Sequence, residues 1–256
     1  MHFPFHNSRP KRRFARAREQ SGFSRLEAVV TVGVLAMLSA VAIPVLAHHR
    51  SRSDLAMCMS NLGQIGKGVL SWNASHDNYD AWRHPAVLDR RLPSGLINNA
   101  WYHFANMSNE LRSASILACP ADAKAVPAVN FSGSPDGGLL YPGFRNDAIS
   151  YFISLDTAPL APQAVLAGDL HVRVGTAATS CQVADNSFIS PAFPLNPSST
   201  GWISNKVHGA AGNLLFHDGR VETRSSPGLR QAFEAMVAPQ LQDAPGVWHL
   251  LIPHPL

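Results

Sequence analysis

The side chains best suited to chemistry fall late in the chain, as Asp169 and His171 in "AGDLH" and as His208, His217 and Asp218 in "HGAAGNLLFHDGRVET". Imidazoles and carboxylates of this kind serve as metal ligands or as general acids and bases. On a strand, Asp169 and His171 would project from one face. The chain has no His-Glu-x-x-His, Gly-x-Ser-x-Gly or Cys-x-x-Cys pattern to organise such groups. The expectation is therefore that His208 fixes a loop or strand end by hydrogen bonding, with no catalytic residue and no resident metal or cofactor assigned. Calcium is the one ion with any support, through oxygens in "SPDGG" (134–138) and "FRNDA" (144–148). Neither loop has a dense set of carboxylates.

The elements that would carry these residues are short. "NLLFHDGRVET" reads as a β-hairpin turning on Asp218-Gly219, a pair that accepts the positive φ values of a type I′ turn. Alternation puts Leu214 and Phe216 on one face, with Leu215 and His217 on the other. "ISYFISL" (149–155) and "AVLAGDL" (164–170) read as strands. "SNELRSASILA" reads as a short helix capped by Ser108, with Leu111 as its first apolar contact. "SSPGLRQAFEAMVA" reads as a helix with Ser226 as cap, Pro227 first, and Leu229, Phe233, Met236 and Val237 on one face. "NASHDNYD", "PAVNFSGSPDGG" and "PAFPLNPSSTG" read as loops.

Ahead of this head lies a much longer helical pattern. Leu55, Cys58, Leu62, Ile65, Val69 and Trp72 recur at spacings of three and four, which lines one helix face. Gly63, Gly66 and Gly68 weaken such a helix by up to about 1 kcal/mol each, so close packing against a sheet is expected to hold it. The residues from Ala28 to Ala47 carry no charge, and twenty helical residues span roughly 30 Å, the thickness of a bilayer's hydrocarbon.

Charge fixes an orientation for that span. The segment through Gly22 holds six basic residues against Glu19, so its formal +5 leaves −1 of the chain's +4 for everything that follows. A basic segment directly before an apolar span reads as a topology signal that keeps this end cytoplasmic, and nucleic acid is not an expected partner. His48 and His49 would then be solvated residues just outside the span. Signal-type cleavage after Ala42 or Ala47 is the route by which the chain would become a secreted soluble protein.

Gly22-Phe23-Ser24-Arg25-Leu26-Glu27 followed by a long apolar helix resembles the class III signal of type IV prepilins and type II secretion pseudopilins. Arg25 stands where that family usually has an aliphatic residue. The resemblance implies cleavage after Gly22 by prepilin peptidase and N-methylation of Phe23. It also implies Glu27 setting assembly register by pairing with a neighbouring subunit's Phe23 amine, and Pro44 bending the helix. The spacing from His208 to Asp218-Gly219 is similar to a His, nine residues, Asp-Gly motif of planctomycete and verrucomicrobial pseudopilin-like heads. "CMSNLGQIGKGVLSW" and "LACPAD" are similar to further pieces of the same pattern. The implied fold is α+β and pilin-like, with a long N-terminal helix packed on a small antiparallel β-sheet. Its divisions would be a cleaved leader (1–22), a transmembrane half-helix (23–47), an exported half-helix (48–75) and a globular head (76–256).

Export to an oxidising compartment makes the cysteines informative, and three of them cannot all pair within one molecule. Cys58 lies on the apolar helix face and Cys119 precedes a proline in a turn. A bridge between them is the first expectation, closing a loop of some sixty residues for roughly 4 kcal/mol and leaving Cys181 a free thiol. The expected role is a pseudopilin or pilin-like subunit that acts by assembly and not as an enzyme. Its partners would be prepilin peptidase, other pseudopilins or copies of itself, and an inner-membrane secretion platform. The competing class is a membrane-anchored periplasmic enzyme or ligand-binding module that uses the signal only for sorting.

Overall fold

The computed structural model describes residues 24–84, 100–155, 161–175, 188–189, 195–203, 208–237 and 250–253. Gly22, Phe23 and Cys181 lie outside them. The chain divides into two units, Met1–Ala47 and His48–Leu256.

Helix α1 (Arg25–Ser75) begins in the first unit with a reciprocal cap. The Ser24 N–H donates to Glu27 Oε2 at 2.9 Å and the Glu27 N–H donates to Ser24 Oγ at 3.1 Å. Two backbone donors of the first turn are thereby satisfied, the arrangement of a capping box. The pattern was present in the sequence as Ser-x-x-Glu, and it gives Glu27 a local role alongside any intermolecular one. Residues Arg25–Ile43 form a stretch long and apolar enough to cross a membrane, and none of it is buried within the protein. Its hydroxyls turn back onto the helix, Thr31 Oγ1 donating to the Glu27 carbonyl and Ser39 Oγ to that of Leu35, each at 2.7 Å. Neither hydroxyl is then left unpaired in an apolar medium. Pro44 lies inside α1 and does not end it.

The second unit mixes helix and sheet. Among the described residues its sheet has six strands, all paired antiparallel, in the order β4-β8-β1-β2-β6-β7. These are β1 (Tyr151–Ser154), β2 (Val165–Asp169), β4 (Phe188–Ile189), β6 (Ala211–Phe216), β7 (Val221–Ser225) and β8 (Leu250–Leu251); β3 (Val172–Arg173) pairs with β5 (Gly201–Trp202) in a separate ribbon. Helix α2 (Ala100–Asn106) and the single turn α3 (Ser108–Leu111) precede the sheet, and α4 (Ser226–Val237) follows β7. Strands β1, β2 and β8, and β6 from Gly212 onward, are buried on both faces.

One face packs against α1. Tyr151, Ile153, Ala167 and Leu215 share a buried cluster with Cys58, Leu62, Ile65, Val69 and Trp72, the apolar stripe, of which Leu55 is only half-buried. The other face carries Phe152, Val165, Leu214 and Phe216 against Leu229, Phe233 and Met236 of α4. Leu214 and Phe216 thus separate from Leu215 as strand alternation requires. The register shifts in β2 between Val165 and Ala167, which brings Leu166 and Ala167 to the same side.

Several local expectations are corrected. The hairpin between β6 and β7 has a three-residue loop, His217 to Gly219, with the Gly219 N–H donating to the Phe216 carbonyl and the Phe216 N–H to that of Arg220, both at 2.9 Å. Only Gly219 takes a positive φ, 85°, so this is not the type I′ turn, which needs two. Ser108 is the first residue of α3 and Met107 its N-cap, without a side-chain cap bond. Arg112, at φ 62°, then ends the turn, so "SNELRSASILA" becomes α3 followed by a 3₁₀ turn over Ala114–Leu117. Ser226 is itself the first residue of α4, and its hydroxyl accepts the Trp202 N–H of β5 at 2.9 Å. Its oxygen ties the helix start to the ribbon. Finally, α1 extends through Asn73 to Ser75, into the stretch read as a loop.

The three glycines of α1 differ in kind. A Cβ on Gly66 would stand 2.7 Å from Leu215 Cδ1 of β6, and one on Gly68 2.6 Å from Leu111 Cδ2 of α3, both fully or nearly fully buried partners. A Cβ on Gly63 would meet only Val221 at 3.9 Å, an ordinary contact. Gly66→Ala is therefore expected to destabilise the protein by about 1–3 kcal/mol through overpacking. Gly63→Ala is expected to stabilise it by up to about 1 kcal/mol through helix propensity. Urea denaturation of the full chain in detergent, followed by tryptophan fluorescence, measures both.

Candidate functional site

Strand β2 ends at Asp169, and its carboxylate is buried beneath α1. Oδ2 accepts the Asn213 backbone N–H of β6 at 2.7 Å, while Oδ1 has no hydrogen-bond partner among the described residues. Burial pushes the Asp169 carboxyl up to about 7 even though the Asn213 bond favours its charged form. The same burial, reinforced by the Asp169 charge, pushes the Tyr151 phenol up.

His208 approaches this carboxylate from the segment before β6. Its Nε2 lies 3.8 Å from Asp169 Oδ2 and 3.4 Å from Cys119 Sγ. Cys119 is bonded to Cys58 of α1, with the two Cα atoms 5.2 Å apart. Burial lowers the His208 pKa first and the neighbouring His171 lowers it further, against an opposing pull from Asp54. The imidazole therefore favours its neutral form. One ring nitrogen faces both Asp169 and the sulfur, so the group lacks the relay of a catalytic triad, in which opposite ring nitrogens face acid and nucleophile.

Asn213 connects the cluster to the helix. Its Nδ2 donates to the Leu55 carbonyl of α1 at 3.4 Å, and its Oδ1 accepts from Thr223 Oγ1 of β7 at 2.7 Å. Asn61, one turn along from Cys58, donates to the Ala118 carbonyl beside Cys119 at 3.1 Å. Asp122 accepts from the Ser150 hydroxyl at 2.8 Å and from the Lys124 N–H at 3.1 Å, closing the turn that presents Cys119.

The second His-carboxylate pair lies at the far end of the packed helix. His217, in the hairpin loop, places Nε2 3.1 Å and 3.3 Å from the two oxygens of the fully buried Asp80. Asn73 Nδ2 donates to Asp80 Oδ1 at 2.9 Å. The C-terminal turn of α1, the following loop and the hairpin tip are thus fastened at one carboxylate.

The sequence candidates accordingly separate. His208 and Asp169 come together, His217 joins Asp80, and Asp218 serves its own loop, accepting the Arg220 N–H at 3.1 Å with Arg220 Nε 3.4 Å from its other oxygen. His171 does not share a face of β2 with Asp169, because the strand ends at Asp169 and His171 falls in the gap before β3. In the loops considered for calcium, Ser134 Oγ accepts the Asp136 N–H within its own turn, and Asn146 Oδ1 accepts the Trp101 N–H at the start of α2.

Asp80, Asn73 and Asn61 were not singled out from the sequence. Asn213 carried a signal, since alternation places it on the face of Leu215 and His217, where a polar residue facing an apolar helix needs a partner. Asp80 carried none, because 137 residues separate it from His217. Comparison with protein-family models, with curated proteins and with solved structures returns no match.

Two stability measurements bear on these clusters. Asp80→Ala leaves His217 Nε2 and Asn73 Nδ2 without their acceptor and is expected to cost about 3 kcal/mol by urea denaturation. Asp169 has a folded pKa of about 7, above its unfolded value, so folding favours its protonated form. Its stabilising contribution is full below about pH 4 and is lost as pH rises through about 7. Asp169→Asn keeps an oxygen for the Asn213 N–H and does not titrate. Relative to wild type it is expected to gain on the order of 2–4 kcal/mol between pH 4 and pH 9. An unchanged difference across that range would show that Asp169 stays charged in the fold.

Proposed function

We propose that this chain is a pilin-like or pseudopilin subunit that acts by assembly, not by turnover. Prepilin peptidase cuts after Gly22 and the new Phe23 amine is methylated. The mature chain rests in the inner membrane with its head on the periplasmic side until it joins a short filament with copies of itself or other pseudopilins.

The observation that carries this reading is the continuity of α1 over 51 residues. Its N-terminal part is long and apolar enough to cross a membrane and unburied, whereas its C-terminal part is the buried spine of the head. A cleaved secretory signal has no need of such a helix, and a simple anchor has no need to continue into the core. The polar clusters of the head support the same reading, because their hydrogen bonds go to backbone and side chains that join α1 to the sheet. Glu27 fits as well. Its cap to the Ser24 N–H uses part of a carboxylate that accepts several donors, which leaves capacity for a neighbour's Phe23 amine. Each charge would offset the desolvation of the other within an apolar bundle.

The test is the intact mass and N-terminal sequence of protein recovered from membranes of cells with and without a prepilin peptidase. A chain beginning at methylated Phe23, seen only with the peptidase, is the expected result. A chain beginning at Met1 or near His48 in both would overturn the proposal. Glu27 is tested with two variants. Glu27→Gln retains a capping side chain and loses the charge, and Glu27→Ala loses both. If the charge sets register, both variants are cleaved normally and both fall at least tenfold in incorporation into sheared filaments. Normal incorporation of Glu27→Gln would reduce Glu27 to a helix cap.

A further inference from the structure

The cluster beneath α1 contains more ligand chemistry than a structural disulfide needs. Cys58, Cys119 and His208 each offer one ligand atom, all within 4.8 Å of one another, and among the described residues no other three His, Cys, Asp or Glu side chains meet in this way. Asp169 stands beside this group and outside it, with Oδ2 3.8 Å from His208 Nε2 and Oδ1 buried without a hydrogen-bond partner among the described residues. An unpartnered carboxylate oxygen in a buried site is costly, and a cation is one means of satisfying it.

We propose that the reduced form of the head binds one zinc ion through Cys58, Cys119, His208 and Asp169. Two thiolates, an imidazole and a carboxylate are the donor types that zinc takes in four-coordinate sites. The supporting bonds of such a site are already made, since the Asn213 N–H holds Asp169 Oδ2 and Asn213 is held in turn by Thr223 and the Leu55 carbonyl. The ligands come from α1, the turn after the 3₁₀ helix, β2 and the segment before β6, so the ion would join the same parts as the disulfide.

The two closures exclude each other. An external dithiol reduces the disulfide by two electrons: the Cys58–Cys119 bond breaks, each sulfur gains an electron and a proton, and the dithiol becomes a disulfide. Zinc then displaces the two thiol protons to solvent as it binds the thiolates. Zinc would hold the head together wherever the thiols have not been oxidised. The proposal does not depend on how the N-terminus is processed.

The test uses the untagged full chain in detergent with Cys181→Ser, which removes the remaining thiol. Zinc content is measured after desalting on oxidised protein and on protein reduced and desalted without oxygen, and cobalt(II) is the spectroscopic probe. The expected result is one zinc per reduced chain and none on the oxidised chain, with thiolate charge-transfer bands and the intense visible absorption of tetrahedral cobalt. His208→Ala and Asp169→Asn should each weaken zinc binding at least tenfold. If the reduced chain unfolds without metal, zinc should restore its cooperative thermal transition. Absence of stoichiometric zinc, an octahedral cobalt spectrum, unchanged affinity in His208→Ala, or failure of zinc to restore a metal-free unfolded chain would each overturn the proposal.

Discussion

The structure of the head depends on covering one stripe of α1. Leu62, Ile65 and Val69 are essentially removed from solvent, and the sheet face that covers them supplies Tyr151, Ile153 and Leu215. Burying a side chain of this size stabilises by about 1.5–3 kcal/mol, so the stripe supplies a driving force that the glycines in the same helix oppose only in part. Gly66 shows how close the fit is, since Leu215 of β6 occupies the space where a side chain would begin. The helix trades intrinsic propensity for contact.

That contact creates the head's polar problem. A sheet laid against a helix buries polar groups together with the apolar ones, and each must find a partner. Asn213 meets the requirement through three bonds to three elements, and Asp80 meets it by gathering Asn73 and His217. Asp169 meets it only in part. Its raised pKa, its unpartnered Oδ1 and its position beside His208 and the disulfide share one cause, a carboxylate enclosed beyond what its neighbours satisfy.

The faces of the elements were legible because periodicity is a local property. The i, i+3, i+4 stripe of α1 and the alternation of Leu214, Leu215 and Phe216 name which side chains turn inward without knowledge of what they meet. Boundaries and caps were less legible. Ser108 and Ser226 have the right side chain for a cap, yet one begins its turn without a cap bond and the other bonds to β5. A hydroxyl takes whichever donor the packing brings, and the sequence shows only the nearby ones. The hairpin misled for a similar reason: Asp-Gly permits two positive φ angles, but the register of β6 with β7 required only Gly219 to adopt one.

The sequence by itself determined the apolar span, the inward stripe and a set of histidines and acids with no partners named. These follow from residue type and short spacing, which local physics reads directly. Only the tertiary structure decided that His208 faces Asp169 and the Cys58–Cys119 bridge and that His217 belongs to Asp80. Those pairings join residues up to 137 positions apart. They are set by how the sheet lies on α1, and a partner chosen by packing across that distance leaves no mark in the spacing of the chain.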